Sequence, residues 1–132
     1  MNHYCLPPEE VIELNRQLIA NDFNVLDRGK PEGALAAPIQ TFGRQYLISS
    51  VLGRTAELLM MLVNAHAFFD GNKRTAWVCA VTYLNLEGFN LVDIDAEVVA
   101  DFVEDVALDL HDRDSVAVWF CRPFGLRRVA GR

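Results

Sequence analysis

Apolar positions recur every three to four residues along most of this chain, the period of a helix with one buried face. Val11, Ile12, Leu14, Leu18 and Ile19 make the first such face. Pro7-Pro8-Glu9-Glu10 opens it, with proline suited to a first turn and acids suited to the positive end of the helix dipole. The pattern predicts a helix running to about Asn21. Residues 22–33 contain Asn24, Asp27, Gly29, Pro31 and Gly33 and read as a loop. A short helix over Ala34–Ala37 follows, stopped by Pro38, and Gln40–Gly43 reads as a connection. From Arg44 to about Ala65 the helical period returns, carried by pairs such as Leu47-Ile48, Val51-Leu52, Leu58-Leu59 and Leu62-Val63.

The run Thr75–Leu86 is different, being apolar almost all round, which marks a buried helix. Gly88 is placed to end it in a left-handed conformation. Asp93–Asp95 can cap a further helix through Val98, Val99, Phe102, Val103, Val106 and Leu108. Asp112-Arg113-Asp114-Ser115 precedes a last short helix, Val116–Cys121, ended by Pro123. Strand signals are weak, the best being Asn90–Ile94. The expected fold class is all-α. A single domain, 1–132, would form a compact helical bundle around a buried central helix at about 75–87.

Composition narrows the function. At 132 residues the chain can build a core without staples, and 52% hydrophobic with 23% charged residues suits a soluble globular protein. The net charge of −6 argues against a broad basic face, so no direct nucleic-acid contact is expected. The tail cluster Arg122, Arg127, Arg128 and Arg132 reads as a solvated end. Cys5, Cys79 and Cys121 have no zinc or disulfide spacing, and Cys79, inside an apolar run, reads as a small core residue. No secretory leader is visible, and no run reaches the ~20 residues that span a bilayer. The expected setting is the cytoplasm, without membrane contact.

The chemistry concentrates in His66-Ala67-Phe68-Phe69-Asp70-Gly71-Asn72-Lys73-Arg74-Thr75, directly before the buried helix. A helix N-terminus carries unpaired N–H groups and partial positive charge, a ready anion site. Gly71 lets a phosphate approach the main chain. Asn72 offers an amide, Lys73 and Arg74 add full charges, and Arg74 can grip phosphate oxygens in pairs. Asp70 beside such a cradle is useful if it holds Mg2+, which takes one or two carboxylates plus phosphate oxygens. An imidazole such as His66 suits a general base near neutral pH. Each residue alone has a plainer reading: His66 as structural, Asp70-Gly71-Asn72 as a turn, Lys73-Arg74 as a solvated pair, Phe68 and Phe69 as core anchors. Their conjunction before one buried helix points to phosphoryl-type transfer. The glycine and lysine spacing is not that of a Walker loop.

These residues resemble the Fic/Doc superfamily, and within it the death-on-curing (Doc) toxins. The Doc signature H-x-F-x-[DN]-[AG]-N-K-R is met by His66, Phe68, Asp70, Gly71, Asn72, Lys73 and Arg74. The stretch Ala34–Gly43 is similar to S-A-L-A-R-P-x-x-T-F-G, with Gly33 and Ala37 where serine and arginine are usual. The likeness continues through Asn85–Phe89 and covers most of residues 4–120. AMP-transferring Fic enzymes resemble H-P-F-x-[DE]-G-N-G-R-x-x-R. Here Lys73 stands at their second glycine and Trp77 at their second arginine, which favours the Doc branch. That resemblance implies an ATP- and Mg-dependent kinase acting on a threonine or serine hydroxyl of a translation factor, elongation factor Tu above all. His66 would be the base, Asp70 the metal ligand, and Gly71, Asn72, Lys73 and Arg74 the phosphate donors. It also implies control by a separate Phd-like antitoxin, since the chain has no S-x-x-x-E-[GN] inhibitory motif. Two other functions remain open on the sequence: AMP transfer on the same fold, and a non-catalytic partner of an antitoxin on its operator.

Overall fold

The computed structural model describes residues 3–19, 24–26, 28–91, 94–121 and 126–128. Asn21, Asp27, Asp93, Arg122, Pro123 and Arg132, named above as boundary, loop, capping or tail residues, lie outside them. Helix α1 spans Pro8–Leu18 and buries Val11, Ile12 and Asn15. Proline at its start and Glu9 and Glu10 in its first turn suit a helix beginning.

The segment read as a loop is corrected by the next helix. Helix α2 occupies Gly29–Ala36, and Ala37–Ile39 follows as one 3-10 turn. Pro31 is tolerated because it sits in the first turn, where N–H groups have no intrahelical acceptor anyway. Gly33 costs up to about 1 kcal/mol in a helix interior, and burial of Pro31, Ala34 and Leu35 offsets it. Leu35 also takes the backbone N–H of Cys5 on its carbonyl at 2.9 Å.

The next helix starts seven residues later than its apolar spacing suggests. Strands β1 (Thr41–Phe42) and β2 (Gln45–Tyr46) form a hairpin, with Gly43 at φ 65° in its two-residue turn. Helix α3 then runs Val51–Ala65. Ser50 sets the start by accepting from Gly53 N at 2.9 Å. Leu47, part of the helical pattern, is 64% exposed.

Helix α4 spans Asn72–Leu86, and α3 against α4 is the most extensive helix contact. Thr75, Ala76, Cys79, Ala80, Tyr83 and Leu84 are buried. The helix read as buried all round keeps an outer strip, on which Thr82, Asn85 and Leu86 are exposed. Helix α3 is the hub, touching α2, α4, α5 and α6. Gly88 ends α4 with φ 92°. The weak strand signal after it is real but shorter: β3 (Phe89–Leu91) pairs antiparallel with β4 (Leu126–Arg128).

Helix α5 is Ala96–Ala107, capped by Asp95 accepting from Glu97 N at 2.9 Å. Helix α6 is Arg113–Cys121, with Asp112 accepting from Ser115 N at 2.8 Å. The last helix therefore begins three residues before Val116. Leu58, Leu59, Leu84, Val116 and Phe120 fill the centre, and the Trp119 ring stacks on Phe102 at 3.7 Å. Cys79 is core, its thiol pushed up to about 12 by burial, which makes it inert as a nucleophile near neutral pH. Among the described residues no helix is long and apolar enough to cross a membrane.

Candidate active site

The loop between α3 and α4 is held by backbone on one side. Residues 24–26 run antiparallel to it, bridging at Val25 and Phe68. Leu26 N donates to Ala67 O at 2.8 Å, and Phe69 N donates to Asn24 O at 3.0 Å. Inside the loop the Asn72 amide closes on Phe68. Its Oδ1 accepts from Phe68 N at 3.1 Å and its Nδ2 donates to Phe68 O at 2.9 Å. Phe68 itself is buried and Phe69 is 66% exposed. The Asn72 side chain thus shapes the loop in this structure, and its backbone N–H is the group presented at the helix start.

On the other side the loop rests on α1. Asn15, fully buried, donates from Nδ2 to Asp70 O at 2.8 Å and to Thr75 Oγ1 at 3.0 Å. Arg74 Nη1 donates to Leu18 O at 2.6 Å, near the end of α1. Gly71 precedes α4 at φ 78° and ψ 14°. Thr75 N to Gly71 O, 2.9 Å, is the first backbone bond of the helix. The N–H groups of Asn72, Lys73 and Arg74 therefore have no intrahelical acceptor. Among the described residues the N-cap Gly71 makes no side-chain cap bond, whereas Ser50 and Asp95 cap α3 and α5. The Asp70 carboxylate turns back to accept from Gly71 N at 2.7 Å.

His66 ends α3 at φ 50° and ψ 45°. A side chain in the left-handed region costs roughly 1 kcal/mol, and such strain gathers at functional positions. Asp109, in the turn after α5, is the other described non-glycine residue at positive φ. The His66 side chain is exposed and makes no hydrogen bond among the described residues.

One cleft of about 900 Å3 is lined by His66, Asp70, Gly71, Asn72, Lys73 and Arg74 together. The same cleft is lined by α5, through Val99, Val103 and Glu104 among others, and by Trp77. The Trp77 indole stacks on Phe120 at 5.9 Å and so presents an uncharged face there. Lys73 Nζ reaches Glu104 Oε2 at 2.5 Å, both side chains about half exposed. The cleft lining thus combines two cations, two carboxylates and the N–H groups of a helix start with apolar side chains. No group of three or more His, Cys, Asp or Glu suited to a metal occurs among the described residues. A cation here would have one carboxylate, Asp70, and would share the oxygens of a ligand, which fits Mg2+ bound with a polyphosphate.

Asn15 escaped the sequence reading. The one signal for it was a polar residue placed where the period of α1 demands burial.

Replacing Gly71 by alanine is expected to cost about 1–3 kcal/mol of stability. The added Cβ would lie 2.8 Å from Ile19 Cγ2 and 3.0 Å from Asn15 Nδ2, at a φ that L residues rarely adopt. Denaturant unfolding checks this, and a change below about 0.5 kcal/mol would show that the turn adapts freely.

The fold and loop together define a class: a mainly helical domain, with two small strand pairs, that presents a His-x-Phe-x-Asp-Gly-Asn-Lys-Arg loop at the start of its central helix. The Fic/DOC family model matches residues 5–84, and the chain belongs to that family. It is 34% identical over 113 residues to Toxin Doc of Mycolicibacterium smegmatis, a match covering 85% of this chain and 87% of that protein.

Proposed function

We propose that this protein is the toxin of a toxin–antitoxin pair and that it works as an ATP- and Mg-dependent protein kinase. The observation that carries the proposal is the convergence of His66, Asp70 and the Gly71–Arg74 helix start in one cleft. Membership of the Fic/DOC family and the likeness to a protein named Toxin Doc support it. The target hydroxyl is a threonine or serine of a translation factor, elongation factor Tu first, and the partner that restrains the chain is a Phd-like antitoxin.

In this reading the target oxygen attacks the γ-phosphorus, the bond from that phosphorus to the β,γ-bridging oxygen breaks, and ADP leaves. His66 takes the hydroxyl proton. Backbone N–H groups of Asn72, Lys73 and Arg74, with the Lys73 and Arg74 side chains, hold phosphate oxygens and neutralise their charge. Glu104 yields Lys73 to the phosphates at small cost, because a half-exposed ion pair contributes only about 0–1 kcal/mol. Arg74 keeps further donors while one nitrogen holds Leu18 O. Asp70 would hold Mg2+, which supplies charge neutralisation at the phosphates. Trp77 adds no charge where AMP-transferring enzymes carry arginine, which favours phosphate over AMP transfer.

The test is incubation of the purified protein with Mg2+, ATP and elongation factor Tu, followed by intact mass. A gain of one phosphate, ~80 Da by the chemistry of phosphorylation, is expected on the factor. A gain of AMP would move the chain to the transferase branch, and no change would direct the search to another target. In the same assay Asp70→Ala is expected to lose at least about 100-fold in rate. Its melting temperature should stay within a few degrees, because the carboxylate is exposed and, among the described residues, bonds only its neighbour's N–H. Unfolding of that variant would make Asp70 structural.

A further inference from the structure

We propose that Asn15 is a positioning residue that aims the Asp70 carboxylate through the Asp70–Gly71 peptide. The activity arm of this inference rests on the kinase reading above.

Asn15 lies on the buried face of α1, beside Val11 and Ile12, and is 0% exposed. An apolar side chain would fill such a place without desolvation cost. The amide instead leaves its own Oδ1 buried with no partner among the described residues. An orphaned buried acceptor is expensive, and its persistence calls for a reason at the other end of the group. That end is Nδ2, which donates to Asp70 O and to Thr75 Oγ1. The orientation follows from the partners: turning the amide over would set Oδ1 against the Asp70 carbonyl oxygen, two acceptors face to face.

The two acceptors flank Gly71, so one buried amide pins both sides of the turn that opens α4. The consequence for Asp70 follows from peptide geometry. In a trans peptide the C=O and N–H point in opposite directions. Holding the Asp70 carbonyl down onto Asn15 therefore turns the Gly71 N–H the other way. There it meets the Asp70 carboxylate, which accepts from it at 2.7 Å. The carboxylate is oriented at its own backbone by a residue 55 positions earlier in the chain. Gly71 makes the arrangement possible, since a Cβ there would stand 3.0 Å from Asn15 Nδ2. Without the Asn15 donor the peptide is free to flip, and Asp70 loses the N–H that aims it.

The experiment compares Asn15→Ala with Val11→Ala, a core truncation on the same helix that leaves every loop bond in place. Amide hydrogen exchange is followed by NMR at Gly71 and at α3 residues as an internal reference. Transfer is followed as kcat and as the Mg2+ concentration giving half-maximal rate. In Asn15→Ala, Gly71 exchange is expected to rise at least ten-fold beyond any change in α3. The kcat should fall 10- to 100-fold and the Mg2+ requirement rise several-fold. In Val11→Ala, exchange should rise evenly and kcat and the Mg2+ requirement should hold. Gly71 exchange that rises no more than that of α3 would overturn the inference, leaving Asn15 a packing residue. If Asn15→Ala does not fold, Asn15→Leu, which fills the volume without a donor, carries the same measurement. If the wild-type chain transfers nothing to its target, the kinase reading fails, while the exchange arm still decides the role of Asn15.

Discussion

Substituting His66 by alanine is expected to lower the transfer rate about 100- to 10,000-fold, the usual contribution of a positioned general base, and to abolish growth arrest in cells. Stability should scarcely change, because the side chain is exposed and bonds to no described group. The backbone makes a sharper version available. His66 sits at φ 50°, where glycine relieves about 1 kcal/mol of strain. Glycine also gains about 0.5–1 kcal/mol of unfolded-state entropy, so the two effects nearly cancel. His66→Gly should therefore melt within about 2 °C of the wild type, yet be as inactive as His66→Ala. That pair of outcomes would place the reason for the strain in the chemistry. Intact-mass kinetics and a thermal melt on the same samples check both halves. Growth arrest that survives His66→Ala would instead favour the non-catalytic partner of an antitoxin.

The helical class was legible because burial along α1, α3 and α5 follows the period of the apolar residues, as Val11 and Ile12 or Phe102, Val103 and Val106 do. The errors have local causes. Pro31 and Gly33 give their segment the look of a loop, but a proline in the first turn loses no bond, and the burial of Leu35 outweighs one glycine. Leu47 and Ile48 kept the period into a segment whose backbone is a hairpin and its return, because spacing alone carries no information about where Ser50 will cap. The site loop was legible as a linear motif, and its six residues do line one cleft. What holds the loop was not, since Asn15 and residues 24–26 reach it across 40 or more positions. Contacts of that span leave no periodic trace. Asn72 shows the same limit at short range. Its amide offered a phosphate donor on paper, and in the structure it spends that amide on Phe68.

Arg54→Met is expected to cost about 2–4 kcal/mol, from hydrogen bonds of a charged donor lost in a buried place, and to lower the melting temperature by roughly 10 °C. Arg54 lies on α3 and is only 5% exposed. Its Nη1 donates to Ile48 O at 2.9 Å and Ser49 O at 3.1 Å, and its Nε donates to Tyr83 Oη at 2.9 Å. The guanidinium also sits 4.2 Å over the Tyr46 ring. One side chain thus ties the return of the β1–β2 hairpin to the start of α3 and to α4. Methionine keeps the stem's packing but leaves two carbonyls and a phenol without their donor, so the loss reads the bonds rather than a cavity. Lysine cannot serve three acceptors in a fork, and Arg54→Lys should recover less than half of the loss. Tyr83 adds a pH signature. Burial, the largest cause, pushes its hydroxyl up to about 12, with the Glu87 carboxylate acting in the same direction and Arg54 against it. A value raised in the folded chain favours the protonated phenol. The contribution is therefore whole below the ordinary value near 10 and disappears as pH climbs from there to about 12. Tyr83→Phe should flatten that alkaline fall in stability, and unfolding curves that fall equally in both proteins would remove Tyr83 from the account.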